Sequence, residues 1–393
     1  MSNYFKIIPS VYYFFSLILI IELYFNKISV IFGVFFVIFP FLLELIFWWR
    51  NKTGYVDIKT PDGSNQPYHP SVLYFKDGWK SFKYWMAYTP FPINAVPYQD
   101  RWEYPCIAVS NDGVNWVDHH NNKPLDDLSE EQINNKDYFS DTHLVYNPEK
   151  DRLECYYRLS EENKSNDSEK GVWIFRRYTS NGTNWTEREI VISPWENTPE
   201  ISGSPCISPS IIIDGNYKMW YVVSNSGELM IRYTESKNGL NWQESKECSL
   251  TGLNINPWHI DCNKFNNDYY MLVYDFTQKL TLWISHDGVN FKFYNVILTP
   301  SHQLGSFYKS TLYRSCVVKD ENGYKVYFSS GNERKVRIGL LQGAKINNLC
   351  VVNASNNGSF IDFLKDYIMK YFYLERWFLW KIFGTRHKKF FKE

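Results

Sequence analysis

The chain has 393 residues with 42 basic and 42 acidic side chains, so its formal net charge is zero and it offers no bulk-charge surface for nucleic acid. Hydrophobic residues at 44% and charged residues at 21% are ordinary globular usage and exclude wholesale disorder, collagen-like and low-complexity classes. Aromatic content is the departure, with 15 Trp, 30 Tyr and 28 Phe making 19% of the chain.

The chain opens on two uncharged apolar runs, Ile7 to Ile21 and Ile28 to Leu43, separated by Asn26-Lys27 and a few neighbours. Extended by Leu23 to Phe25 and by Leu45 to Trp49, each approaches the roughly 20 residues that span hydrocarbon. Residues 1–52 are therefore expected to form a two-helix transmembrane hairpin. A cleaved signal peptide is the competing reading, but only Lys6 supplies an n-region and no A-x-A-like site follows. Lys6, Arg50 and Lys52 stand against Lys27, a positive-inside bias that puts the following domain on the cytoplasmic side of the cell membrane.

Between residues 53 and 352 one heptapeptide recurs: Ser110 to Trp116, Thr179 to Trp185, Ser236 to Trp242 and Ser285 to Phe291. Each copy places Asn or Asp before Gly in a tight turn and follows it with an aromatic that can be buried. Upstream of the turns lie five aromatic strands, Tyr84 to Tyr88, Cys155 to Arg158, Met219 to Val223, Tyr270 to Tyr274 and Val326 to Phe328. Five four-stranded modules with almost no helix between them predict an all-β fold, a five-bladed β-propeller, whose face-to-face sheets need large flat side chains. The seven cysteines are an odd number without a C-x-x-C pair and read as small buried hydrophobes rather than as disulfides or a zinc site. Residues 353–393 alternate aromatic and apolar clusters with Lys365, Lys370, Arg376 and Lys381 and end in Arg386, Lys388, Lys389 and Lys392. That pattern predicts an amphipathic basic C-terminal helix, lying on an anionic leaflet or packed on the main domain.

The first strand of each module begins His69-Pro-Ser71, Asp141-Thr-His143, Ser208-Pro-Ser210, His259-Ile-Asp261 and Tyr313-Arg-Ser315. Strand period two makes the first and third residue of each triplet share a face, and in an innermost strand that face is the channel. His69, Asp141, Ser208, His259 and Tyr313 are then expected in an upper layer, with Ser71, His143, Ser210, Asp261 and Ser315 below. The S-x-D-G-x-N-W turns and x-P-S strand starts resemble the five-bladed propeller glycoside hydrolases of families 43, 32 and 130, over about 300 residues. The resemblance implies a carbohydrate ligand and, in the first three blades, an Asp base, an Asp modulator and a Glu acid. Here Asp141 matches, whereas His69 stands at the base position and Ser208 at the acid position.

Candidate catalytic residues are Asp141, Asp261, Glu103 and His259, because glycoside cleavage needs two carboxyl groups about 5 to 9.5 Å apart and histidine shuttles protons near neutral pH. Candidate substrate-binding residues are His69, His143, Arg158, Ser210, Trp258, Arg314 and Trp85. The arginines suit a carboxylate or phosphate or an internal ion pair, and the tryptophans a sugar face or the core. A polar ring can equally hold ordered water or an ion without chemistry. No G-x-G-x-x-G, Walker A, H-E-x-x-H or G-x-S-x-G motif occurs. The expectation is a membrane-anchored, glycan-active propeller performing hydrolysis or glycosyl transfer on a surface polysaccharide or lipid-linked saccharide; a binding or scaffold propeller without catalysis is the alternative. No cofactor is expected, a divalent cation in the channel is left open, and so is the oligomeric state.

Overall fold

The β-patterned runs pair through the turns that separate them. The computed structural model describes residues 55–93, 103–161, 171–193, 207–225, 228–275, 277–301, 307–308, 311–332 and 335–352, with helical pieces at 38–39, 41–43, 45–46 and 364. Blade one comprises β1 (Pro67–Trp79), β2 (Phe82–Pro90), β3 (Cys106–Ser110) and β4 (Val117–Asp118). A short helix, α1 (Glu130–Asn134), capped by Ser129 and Gln132, leads to blade two: β5 (Tyr138–Asn147), β6 (Arg152–Ser160), β7 (Val172–Thr179) and β8 (Glu189–Ile192). Blade three is β9 (Ile207–Asp214), β10 (Asn216–Asn225), β11 (Glu228–Ser236) and β12 (Lys246–Glu247). Blade four is β14 (Pro257–Phe265), β15 (Asp268–Asp275), β16 (Leu280–Ser285) and β17 (Asn290–Leu298), with β13 (Ser249–Thr251) added parallel to β17. Blade five is β18 (Thr311–Asp320), β19 (Gly323–Asn332), β20 (Lys335–Lys345) and β21 (Asn348–Val351). Each innermost strand contacts the next, β1 to β5, β9, β14 and β18, and β18 contacts β1, so the ring of five closes.

The segment before β1 seals that closure. Val56 N donates to Ile338 O at 2.8 Å, and Val56 and Ile58 are buried with Tyr84 and Met86 of blade one and Tyr327 of blade five. The heptapeptide turns join the other blades. In the first, the Asp112 carboxylate accepts from the backbone N of Val114 and of Asn115 at 2.8 and 2.7 Å, which leaves Gly113 at φ +73° against Tyr84 and Tyr327. Gly182 lies on Trp85, Gly239 on Tyr156 and Gly288 on Trp220, each an aromatic from the second strand of the preceding blade. Tyr327 Oη donates to Gly113 O and Trp220 Nε1 to Gly288 O, both at 2.7 Å, so the large rings fill the gap between sheets while their polar atoms stay satisfied. The six described cysteines are free, and all but Cys350 are buried.

Strict alternation fails at the triplets. Two residues of the inner strand oppose one of the second strand at His69-Pro70, Asp141-Thr142, Ser208-Pro209 and Tyr313-Arg314, and β14 carries a single extra residue at Trp258. In the first three blades the leading residue adopts a left-handed backbone, with φ +51° at His69, +52° at Asp141 and +55° at Ser208. Such bulges re-aim side chains, which breaks the period-two expectation where it matters most.

Among the described residues no helix is long and apolar enough to cross a membrane. The expected hairpin, apart from its helical pieces at 38–46, lies outside the described residues, as does the C-terminal amphipathic helix apart from residue 364.

Candidate functional site

The bulged starts of the inner strands bring His69, Asp141, His259 and Tyr313 together at one end of the channel. Asp141 is fully buried and sits between two guanidinium groups: Arg158 Nε lies 3.1 Å from its Oδ2 and Arg314 Nη1 3.3 Å from its Oδ1. Burial pushes this carboxyl up, but the guanidinium groups of Arg158 and Arg314 outweigh it and hold Asp141 well below the usual carboxylate range. His259 Nδ1 is 3.4 Å from Asp141 Oδ1, and burial holds its imidazole well below the ordinary histidine range, hence neutral. His69 Nδ1 bonds Thr89 Oγ1 at 2.8 Å and lies 3.3 Å from Glu103 Oε2. Glu103, buried just before β3, is pushed above the usual carboxylate range by burial, partly offset by His69.

Several of these buried atoms have no hydrogen-bond partner among the described residues: His69 Nε2, both ring nitrogens of His259, Asp141 Oδ1, Glu103 Oε2 and Arg314 Nη1. Each such atom costs about 1–3 kcal/mol if nothing completes it. One donor atom each from His69, Asp141 and His259 lie within 4.8 Å of one another. Two imidazoles and one carboxylate held in its ionised form are the donor set of a divalent first-row cation with open positions for water or substrate. Thr89, bonded to the far nitrogen of His69, orients the ring as an outer-shell partner does.

Arg314 separates this end of the channel from the other. It starts on blade five and reaches blades two and three opposite, with Nη2 2.8 Å from Pro209 O and 3.5 Å from His143 Nδ1. Below it, His143 Nε2 bonds Ile211 O at 2.8 Å, which leaves its Nδ1 lone pair 3.8 Å from Asp261 Oδ1. Asp261 Oδ2 accepts from Val317 N and Asn263 Nδ2, both at 3.0 Å. Burial, with Arg314 adding to it, lowers His143 to about 3, and burial raises Asp261 to about 6. This end opens into a cavity of about 390 Å³ lined by Ser71, His143, Ile211, Asp214, Asp261 and Lys264.

The candidates therefore divide. His69, Glu103, Asp141, Arg158, His259, Arg314 and, at the rim, Trp258 converge on the upper end, whereas His143 and Asp261 belong to the lower one. Ser208 is not in the upper layer of side chains: its Oγ accepts from Ile260 N and donates to Ile260 O, stitching blade three to blade four. Ser210 makes the same stitch to Cys262, and Ser71 Oγ accepts from Leu144 N. Trp85 is fully buried between blades, its Nε1 donating to Trp79 O, and does not reach the channel. Sequence reasoning missed Thr89, whose only signal is its position at the end of the strand pairing with β1; Arg314, expected to grip a carboxylate or phosphate or to form an internal ion pair, pairs with Asp141.

Fold and upper-channel geometry together define a five-bladed propeller with a buried two-histidine, one-carboxylate cluster. No family model matches the sequence. The chain is 23% identical over 336 residues to the A type blood N-acetyl-α-D-galactosamine deacetylase of Flavonifractor plautii, a match covering 68% of this chain and 42% of that protein. A crystal structure of an N-acetylgalactosamine deacetylase from F. plautii in complex with blood group B trisaccharide superposes with a TM-score of 0.61 at 20% identity, covering 73% of this chain and 93% of that one. The GH43_1 enzyme from Xanthomonas citri complexed with xylose gives 0.51 at 10% identity over 74% and 92% of the two chains. At these identities the structural likeness speaks for the fold.

Proposed function

We propose that this protein is a metal-dependent deacetylase that hydrolyses the acetamido group of a 2-acetamido sugar, on a surface polysaccharide or lipid-linked saccharide at the membrane. The observation that carries the reading is the convergence of unpartnered donor atoms from buried His69, Asp141 and His259 beside the elevated carboxyl of Glu103. The sequence similarity to a deacetylase supports it.

His69, Asp141 and His259 would hold a divalent cation, which would supply Lewis-acid polarisation of the acetamide carbonyl and ease ionisation of water. Arg158 and Arg314 keep Asp141 ionised, so the cluster does not lose its anionic ligand to a proton. Glu103 takes a proton as water adds to the carbonyl carbon and returns it to the nitrogen as the C–N bond breaks, giving acetate and a free amine. A second reading, glycoside cleavage between Glu103 and Asp141, rests on their flanking the same imidazole of His69. It is disfavoured because Asp141, gripped by two arginines, is a poor base.

Membrane attachment rests on the two apolar runs at the start of the chain and on Ile38, Leu42 and Ile46, which recur every four residues and are each about half exposed. The charge bias around those runs supports a cytoplasmic propeller. The test is acetate release by the full-length, detergent-solubilised protein from free and α-linked 2-acetamido sugars, before and after chelation and with Zn²⁺, Mn²⁺ or Co²⁺ restored. Release that stops on chelation, returns with metal and falls at least 10³-fold in Asp141→Asn is expected. Release of reducing sugar in place of acetate would move the assignment to glycoside cleavage, and neither product across the panel would leave the binding-propeller reading.

A further inference from the structure

Tyr313 is the upper-end group with no part in the chemistry above, and its surroundings are specific. Its ring packs edge-on to His259 at 4.1 Å between centroids, lies 5.4 Å from His69, and stacks on Tyr68 at 5.2 Å and 22°. Both imidazoles of the cluster thus share one aromatic wall. Trp258 Nε1 donates to Tyr313 Oη at 3.0 Å. An indole nitrogen is only ever a donor, so the phenol oxygen accepts there and its own hydrogen points away from Trp258. Among the described residues that hydrogen finds no acceptor. Tyr313 is only partly buried, so this hydrogen is available to a ligand bound against the cluster.

We infer that Tyr313 is a catalytic hydrogen-bond donor to the acetamide carbonyl oxygen, and that Trp258 is a positioning residue that aims the Tyr313 hydroxyl. The inference rests on the deacetylase reading and extends it to a residue outside the ligand cluster. As water oxygen bonds to the carbonyl carbon, the C=O π pair moves onto oxygen, and the phenol O–H meets that charge without transferring its proton. When the pair returns, the C–N bond breaks and nitrogen leaves with the proton held by Glu103. A donor placed where negative charge develops acts mainly on kcat.

The experiment compares the wild type, Tyr313→Phe and Trp258→Phe, and the double variant, as full-length metal-loaded proteins with methyl 2-acetamido-2-deoxy-α-D-galactopyranoside. Expected are a 10²- to 10³-fold fall in kcat for Tyr313→Phe with KM within about threefold, about a tenfold fall for Trp258→Phe, and a double variant no slower than Tyr313→Phe alone. A structural role for Trp258 predicts additive losses instead. Acetate, the product, is titrated in parallel and needs no turnover: its affinity falls about tenfold in Tyr313→Phe while metal stoichiometry holds. Active wild type with an unimpaired Tyr313→Phe, or acetate bound equally by both, overturns the assignment of Tyr313 alone. A wild type that binds no metal and releases no acetate overturns the deacetylase reading and this inference with it.

Discussion

Replacing Asp261 by asparagine tests whether the lower end of the channel carries a misplaced charge. Burial raises this carboxyl from 3.8 to about 6, against lowering contributions from Val317 N, Arg314 and Asn263. The folded state therefore binds its proton more tightly than the unfolded chain, so the group's penalty is absent below the unfolded value and complete once pH exceeds the folded one. At 1.36 kcal/mol per pKa unit the penalty is about 0.5 kcal/mol at pH 4, about 1.6 at pH 5 and about 3 above pH 7. Asparagine keeps an acceptor for Val317 N and Asn263 Nδ2 and presents a donor to the lone pair on His143 Nδ1, so nothing is orphaned. Denaturant unfolding at pH 4.5 and pH 7.5 should find Asp261→Asn more stable than wild type by about 1 kcal/mol at the lower pH and by about 3 kcal/mol at the higher. Comparing the two proteins cancels the titration of Glu103 and Asp141. A stability difference that does not change with pH refutes the reasoning. Acetate release should survive the substitution, because Asp261 lies across Arg314 from the cluster.

Glu103 acts as a base only when ionised, and burial lifts it above the usual carboxylate range. The acid limb of the kcat/KM profile should accordingly fall off above pH 4.5, and Glu103→Gln should lose turnover at every pH while still binding metal by calorimetry. His259→Ala should abolish metal binding itself, read as loss of the cation after dialysis. A Cβ at Gly239, where φ is +73°, would strike Tyr156 Oη and come within 2.8 Å of Arg176 Nη1, so Gly239→Ala should destabilise the fold by about 2–5 kcal/mol. Gly215→Ala, with φ +74° but open space, should cost about 1–2 kcal/mol, and equal denaturation midpoints for the two would discount the clasp between blades.

Much of this architecture is legible in the sequence because its turn chemistry is local. An Asp or Asn side chain binding the backbone two and three residues on, with Gly next to it, needs no distant partner to be recognised, and four copies set the blade period. The inner triplets are legible too, which is why His69, Asp141, His259 and Tyr313 were expected in one layer. Side-chain direction was not, because all five inner strands break register there and period two no longer says which residues face the channel. Ser208 was thereby expected in the channel layer, whereas its hydroxyl is bonded to the Ile260 backbone. Trp85 illustrates another limit: an aromatic on a β-strand reads alike whether it meets a sugar or the turn of the next sheet.

Arg314 reaching across the axis makes a tube into a cul-de-sac. A polymer cannot be threaded past that guanidinium, so under the proposed reading only a terminal unit or a pendant group of a larger glycan would be offered to the cluster, and the product would leave by the way the substrate came. The opposite recess shares a wall with the chemistry but no passage, which leaves its composition free of the demands of turnover.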